Sequence, residues 1–202
     1  MVLDEPKDSL IAVAMNGTAL PVEHGFPARL VVPGWYGTYW VKNLEEITVW
    51  DHEFESFWMQ KSYRIPANPC ECVPPGTALT RTVPINRMKV RSFIITPADG
   101  TRVKVGRPVV LKGIAFDAGS GIADVEISEN QGSTWQRAVL GRDLGPYSFR
   151  EWSAPWTPAH RGSFTLSVRA ANRMGESQPF EANWNPAGYL RNVIEKIQVT
   201  AV

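Results

Sequence analysis

Three side chains early in the chain have the types and spacing to grip an anion: His24, Arg29 and Lys42. They flank a short apolar run, Leu30, Val31 and Val32, which Pro27 and Pro33 bracket. Each proline holds the residue before it in extended geometry, so the run reads as a strand with defined ends. Gly34 and Gly37 then permit turns closed to most residues. Two cations and a histidine around a glycine-bearing turn suit a phosphate. The same spacing fits two ordinary surface charges and a capping or core histidine, and no phosphate-loop signature is present. Tyr63 ends an aromatic-rich stretch, residues 51–64, whose ring density reads first as packing. Lys196, near the end of the chain, reads as a surface cation.

Cys70 and Cys72 are the only cysteines. A pair one residue apart rarely meets disulfide geometry, and two thiols make an incomplete zinc site. The spacing is neither a haem-attachment nor a thioredoxin-type motif. The pair therefore reads as free thiols in a proline-rich connector.

The elements that must position these groups change character along the chain. Residues 8–15 read as a short helix capped by Asp8 or Ser9, with Leu10, Ile11 and Ala14 on one face and Asn16-Gly17 ending it. Strands are expected at 30–32 and at 46–51, where Ile47 and Val49 face one way. Residues 51–64 read as a loop or irregular helix. Residues 65–90 carry Pro66, Pro69, Pro74, Pro75 and Pro84, which exclude regular helix and central strand. Beyond residue 90, short alternating runs are separated by Gly, Pro, Asn and Asp. Strands are expected at 109–116, 123–129, 134–140, 147–152 and 193–199. A further one carries Phe164, Leu166, Val168 and Ala170 in strict alternation. This spacing implies an antiparallel sandwich of roughly seven strands.

The chain has 202 residues, 44% hydrophobic and 20% charged, which is the composition of a globular protein with a real core. A net charge of +1 gives no basis for binding nucleic acid or an anionic membrane. No segment approaches a bilayer-spanning apolar length, and residues 1–7 carry no apolar signal core.

The run HGFPARLVVPGWYGTYWVKNL resembles the molybdopterin domain of the sulfite oxidase family, especially its bacterial members. The later runs VRSFIITPADG, GIAFDAGSGIADVEISENQGSTWQRAVL and WNPAGYLRNVIEKIQV resemble that family's dimerisation domain. The implied fold is mainly β with some α+β: part of a molybdopterin-binding domain over residues 1–66, a proline-rich connector over 67–90, and an immunoglobulin-like antiparallel β-sandwich over 91–202.

The resemblance implies that His24, Arg29 and Lys42 hold a molybdopterin phosphate, with Trp40 and Val41 touching the pterin through backbone groups. It implies that Tyr63 is the active-site phenol and, more weakly, that Lys196 helps bind an oxyanion. Arg91, Arg150 and Arg169 fit the sandwich or an interface better. The implied activity is oxidation of sulfite to sulfate at molybdenum, with electrons passed to a haem cytochrome c and a homodimer as the assembly. Periplasmic export is the implied location. Nitrate reductases, other sulfur-compound dehydrogenases and a non-catalytic dimerisation or assembly module are competing readings. No segment matches the part of the family that carries its molybdenum-ligating cysteine. The expectation is thus a carboxy-terminal portion of a longer or split enzyme, inactive alone, whose metal ligand comes from an absent amino-terminal half.

Overall fold

A computed structural model describes residues 8–202. The signal-core reading of residues 1–7 lies outside the described residues. The chain divides into two compact units. One runs up to Met88 and takes in Trp184–Leu190; the other comprises Lys89–Asn183 and Arg191–Val202.

In the first unit, β1 (Leu10–Ala12) pairs antiparallel with β4 (Arg29–Val31), setting Ala12 opposite Arg29. Between them, β2 (Ala14–Met15) and β3 (Thr18–Ala19) form a small hairpin. The expected helix over 8–15 is therefore wrong. Asn16 and Gly17 both have positive φ, +52° and +81°, as a two-residue hairpin turn requires. They reverse a strand rather than end a helix. Leu10 and Ile11 are adjacent, so they point to opposite faces of β1, and both are about half exposed, at 50% and 52%.

The strand expected over 46–51 is also absent. Ile47 and Val49 are 61% and 73% exposed, and the segment pairs with no strand among the described residues. Alternation without a partner ladder does not make a strand. Further on, a single-turn π-helix, Trp58–Ser62, leads into β5 (Arg64–Pro66), which pairs antiparallel with β6 (Thr82–Pro84). The prolines sit at the ends of this ribbon. Arg64 fastens the π-helix to it: Nη1 donates to the Met59 carbonyl at 2.9 Å, Nε to Thr82 Oγ1 at 3.0 Å and Nη2 to the Thr82 carbonyl at 2.6 Å.

The two cysteines are not free thiols. Cys70 and Cys72 form a disulfide, their Cα atoms 5.1 Å apart. Glu71 between them has φ +52°, and this left-handed residue folds the chain back far enough for the bond. So short a loop restricts the unfolded chain little. Replacing both cysteines by serine is expected to lower the unfolding free energy by about 1.5 kcal/mol or less, read as a small shift in the urea midpoint. A loss above roughly 3 kcal/mol would show that the bond organises more than its own turn.

The second unit is a two-sheet β-sandwich. Its strands are β7 (Arg91–Thr96), β8 (Thr101–Val103), β9 (Val109–Phe116), β10 (Ile122–Ser128), β11 (Gln136–Arg137), β12 (Val139–Leu140), β13 (Arg150–Trp156), β14 (Gly162–Asn172) and β15 (Glu195–Ala201). One sheet has the order β11-β10-β14-β15-β8 and the other β12-β13-β9-β7. All pairs are antiparallel except β15 with β8. Phe164, Leu166, Val168 and Ala170 are all buried, as their alternation implied. The expected 134–140 strand is two short ones, and the expected 147–152 strand starts later, at Arg150.

Between the sheets, the Trp152 indole donates to Ser92 Oγ at 2.9 Å, and Ser92 donates on to the Ile114 carbonyl at 2.9 Å. The Trp152 N–H and the Ser92 hydroxyl are thereby both paired. The arginines assigned to the sandwich are spent there: Arg91 on Glu195, Arg150 on Asp143 and Arg169 on Glu126.

Candidate functional site

Arg29 and Lys42 converge on Gly25. This glycine ends a 3₁₀ turn, Val22–His24, and its φ of +111° is open mainly to glycine. A Cβ built on it would lie 3.1 Å from Arg29 Cβ and 3.2 Å from Lys42 Cβ. The two cation-bearing residues thus close on a position that only a missing side chain leaves open.

Backbone pairing brings them there. The Leu30 N–H donates to the Val41 carbonyl at 2.9 Å, Leu44 to Ala28 at 2.8 Å and Asn43 to Gly25 at 3.3 Å. The segment around Lys42 is thereby laid alongside the entry to β4. The Asn43 side chain adds a bond to the Phe26 carbonyl at 2.7 Å.

Both cations lean on the 3₁₀ turn. Lys42 Nζ donates to the Glu23 carbonyl at 3.0 Å, and Arg29 Nη1 lies 3.4 Å from the His24 carbonyl. The Arg29 guanidinium carbon sits 5.5 Å from the centre of the Trp40 indole ring. Trp40 is fixed in turn by its Nε1 donating to the Val32 carbonyl at 2.8 Å. Arg29 Nε is buried and has no hydrogen-bond partner. A buried unpaired donor on a permanent cation is costly unless something fills it, and an anion would do so. His24 is exposed and meets this group through its carbonyl. The structure therefore brings His24, Arg29, Trp40, Val41 and Lys42 together.

Tyr63 occupies a second cluster in the same unit. Its ring stacks on Trp58 at 5.6 Å and lies against Tyr189 at 5.9 Å. Ile65, Ile85 and Leu190 form the buried floor, with Tyr36 and Tyr39 also packed against it. The Tyr63 N–H donates to the Trp58 carbonyl at 2.7 Å and its own carbonyl accepts from Ile85 at 2.8 Å, so the backbone is held on both sides. Tyr36 and Tyr39 follow β4 closely in sequence and pack against this second cluster.

The Tyr39 hydroxyl donates to the Ile85 carbonyl. Burial pushes its phenol above the ordinary range, while the Arg64 guanidinium pulls the other way. The fold thus favours the neutral phenol. That contribution is complete below the unfolded value of about 10 and is lost as pH rises through the raised folded value. Tyr39→Phe is expected to cost about 1 kcal/mol at neutral pH and to reduce the alkaline loss, both read from urea unfolding against pH.

Lys196 lies on β15 of the second unit, exposed, with its ammonium 5.0 Å from the centre of the Phe180 ring. Among the described residues no cluster of His, Cys, Asp and Glu could hold a metal ion. No helix of the described residues is long and apolar enough to cross a membrane.

A family model for the oxidoreductase molybdopterin binding domain matches residues 1–58, and one for the Mo-co oxidoreductase dimerisation domain matches residues 82–202. The chain belongs to the sulfite oxidase family. It is 32% identical to the mitochondrial sulfite oxidase of Drosophila melanogaster, over 99% of this chain and 37% of that one. The human mitochondrial enzyme is 33% identical, over 98% and 37%. Nitrate reductase [NADH] 2 of Phaseolus vulgaris is 28% identical, over 95% and 23%. Among solved structures, the sulfane dehydrogenase SoxCD of Paracoccus pantotrophus superposes with a TM-score of 0.82 at 28% identity, over 96% of this chain and 49% of that one. The chain therefore spans well under half the length of the curated relatives it matches.

Sequence reasoning missed Tyr189 and Asn185. The run WNPAGYL lies inside the match to the dimerisation domain, yet its residues, Trp184–Leu190, belong to the first compact unit. The Asn-Pro and Gly of this run signal a turn; nothing in the sequence says which unit the turn joins.

Proposed function

We propose that this chain supplies the phosphate-gripping and phenol-bearing part of a molybdenum-cofactor enzyme that oxidises sulfite to sulfate. One observation carries the reading: a buried, unpaired Arg29 Nε beside Lys42, both closed on Gly25. Those groups suit the phosphate of a pterin cofactor. Arg29 would engage it through its fork and Lys42 as a point charge, with Trp40 fixing the guanidinium. His24 would add a donor at the rim. When bound, the molybdenum cofactor supplies a two-electron oxidation with oxygen transfer to the substrate. The Tyr63 phenol would hold the anionic substrate and move a proton without adding charge.

The ligand to the metal comes from elsewhere in this reading, because both cysteines of the chain are joined to each other. The two-sided exposure of Leu10 and Ile11 supports a further protein layer over β1, as an amino-terminal part of the cofactor domain would provide. The disulfide suits an oxidising compartment, and we place the enzyme in the periplasm, as a homodimer passing electrons to a haem cytochrome.

The test is made on the full-length enzyme containing this chain. It is expected to hold molybdenum and to reduce cytochrome c when given sulfite. Metal-loaded enzyme that ignores sulfite but reduces nitrate would overturn the reading. Sulfane oxidation without sulfite oxidation would favour the related sulfur-compound dehydrogenase, which the 0.82 TM-score to SoxCD makes the second reading.

A further inference from the structure

The turn Trp184–Leu190 is built to an unusual standard for a surface segment. Asn185 is 4% exposed and closes the turn on itself. Its Oδ1 accepts from the Tyr189 N–H at 3.0 Å and its Nδ2 donates to the Tyr189 carbonyl at 2.7 Å. Gly188 has φ +68° and donates to the Asn185 carbonyl at 3.0 Å.

Both ends are pinned within the first unit. The Trp184 carbonyl accepts from Val73 at 2.8 Å, and Leu190 enters the core with Ile65 and Ile85. Leu190 does so at φ +59°, a conformation that costs a bulky residue about 1 kcal/mol or more. The surroundings hold it there. What this arrangement presents is the Tyr189 ring, set 5.9 Å from the ring of Tyr63 at 49°. Trp58 takes the other contact at 5.6 Å and 24°.

We infer that Asn185 and Tyr189 are positioning residues for Tyr63: the turn sets the Tyr189 ring so that the Tyr63 phenol keeps one orientation. The inference rests on the reading of Tyr63 as the phenol of the site. The contact is ring against ring, so the aromatic body of Tyr189 carries the function. The two amide bonds of Asn185 fix the backbone from which that ring projects. Orientation matters because a donor that wanders by an ångström loses most of its effect on a reacting group.

The experiment uses the full-length, cofactor-loaded enzyme. Tyr189→Leu is expected to lower kcat about tenfold with KM within about twofold, while Tyr189→Phe restores the wild-type rate. In a Tyr63→Phe background, Tyr189→Leu is expected to add nothing, since the hydroxyl it positions is gone. A second readout needs no turnover. Fluorotyrosine placed at Tyr63 should give one sharp ¹⁹F line that broadens or splits in Tyr189→Leu and in Asn185→Ala. A slow Tyr63→Phe enzyme combined with a harmless Tyr189→Leu, or with losses that simply multiply, overturns the inference and leaves Tyr63's role standing. A Tyr63→Phe enzyme at the wild-type rate overturns the reading of Tyr63 itself. A ¹⁹F line unchanged in both variants overturns the positioning role whatever the rates.

Discussion

Arg29→Ala is expected to weaken retention of the pterin cofactor by about ten- to a hundredfold in the full-length enzyme, and Arg29→Ala with Lys42→Ala by more. A hydrogen bond to a charged partner is worth about 1.5–3 kcal/mol, and each 1.4 kcal/mol is a factor of ten. The fold should hardly suffer. Arg29 Nε has no internal partner to lose, and the Arg29 Nη1 contact to the His24 carbonyl is long, at 3.4 Å. Removing the guanidinium also frees the Trp40 face, which its Nε1 bond to Val32 still holds in place. Arg29→Lys keeps the charge and loses the planar fork, so its retention should fall between those of the wild type and Arg29→Ala. Pterin retained after gel filtration, read by the fluorescence of its oxidised form, checks all three variants. Wild-type retention in Arg29→Ala would remove the phosphate from this side chain.

Tyr63→Phe should do the reverse: cofactor content is preserved and turnover falls about a hundredfold. The phenyl ring keeps the stack on Trp58 and the contact with Tyr189, and the backbone bonds to Trp58 and Ile85 are untouched. Only the hydroxyl goes. Losing one aimed hydrogen bond to charge that develops during reaction typically costs about 10²–10³ in rate. Steady-state kinetics with sulfite and cytochrome c, set beside molybdenum content, separates chemistry from cofactor loss. Unchanged turnover would leave Tyr63 with packing as its task, which is how its aromatic neighbourhood reads without the family resemblance.

The sandwich was legible because one face of each strand is buried. Period-two alternation then shows in the residues themselves, as at Phe164, Leu166, Val168 and Ala170. The first unit was harder. Its strands are two or three residues long, too short to show a period, and Leu10-Ile11 suits a helix face as well as a strand exposed on both sides. The Asn16-Gly17 pair carried the hairpin signal, yet the same dipeptide ends helices. At 46–51 the alternation was real, and among the described residues there is no partner strand for it.

The cation pair was legible as residue types flanking a proline-bracketed strand. Its convergence on Gly25 was not, because it depends on residues 41–44 pairing back across 25–30. The disulfide turned on the backbone sign of Glu71, which no pattern of side chains displays. The Asn185–Tyr189 turn depends on a meeting of residues more than a hundred positions apart, and a local reading left it in the sandwich.

The most direct measurement is an experimental structure of the full-length enzyme with its cofactor bound. The account predicts a terminal phosphate oxygen within hydrogen-bond reach, about 3.2 Å, of Arg29 Nε and of Lys42 Nζ, above Gly25. A phosphate bound at another surface, with Arg29 Nε still unpaired, would contradict it.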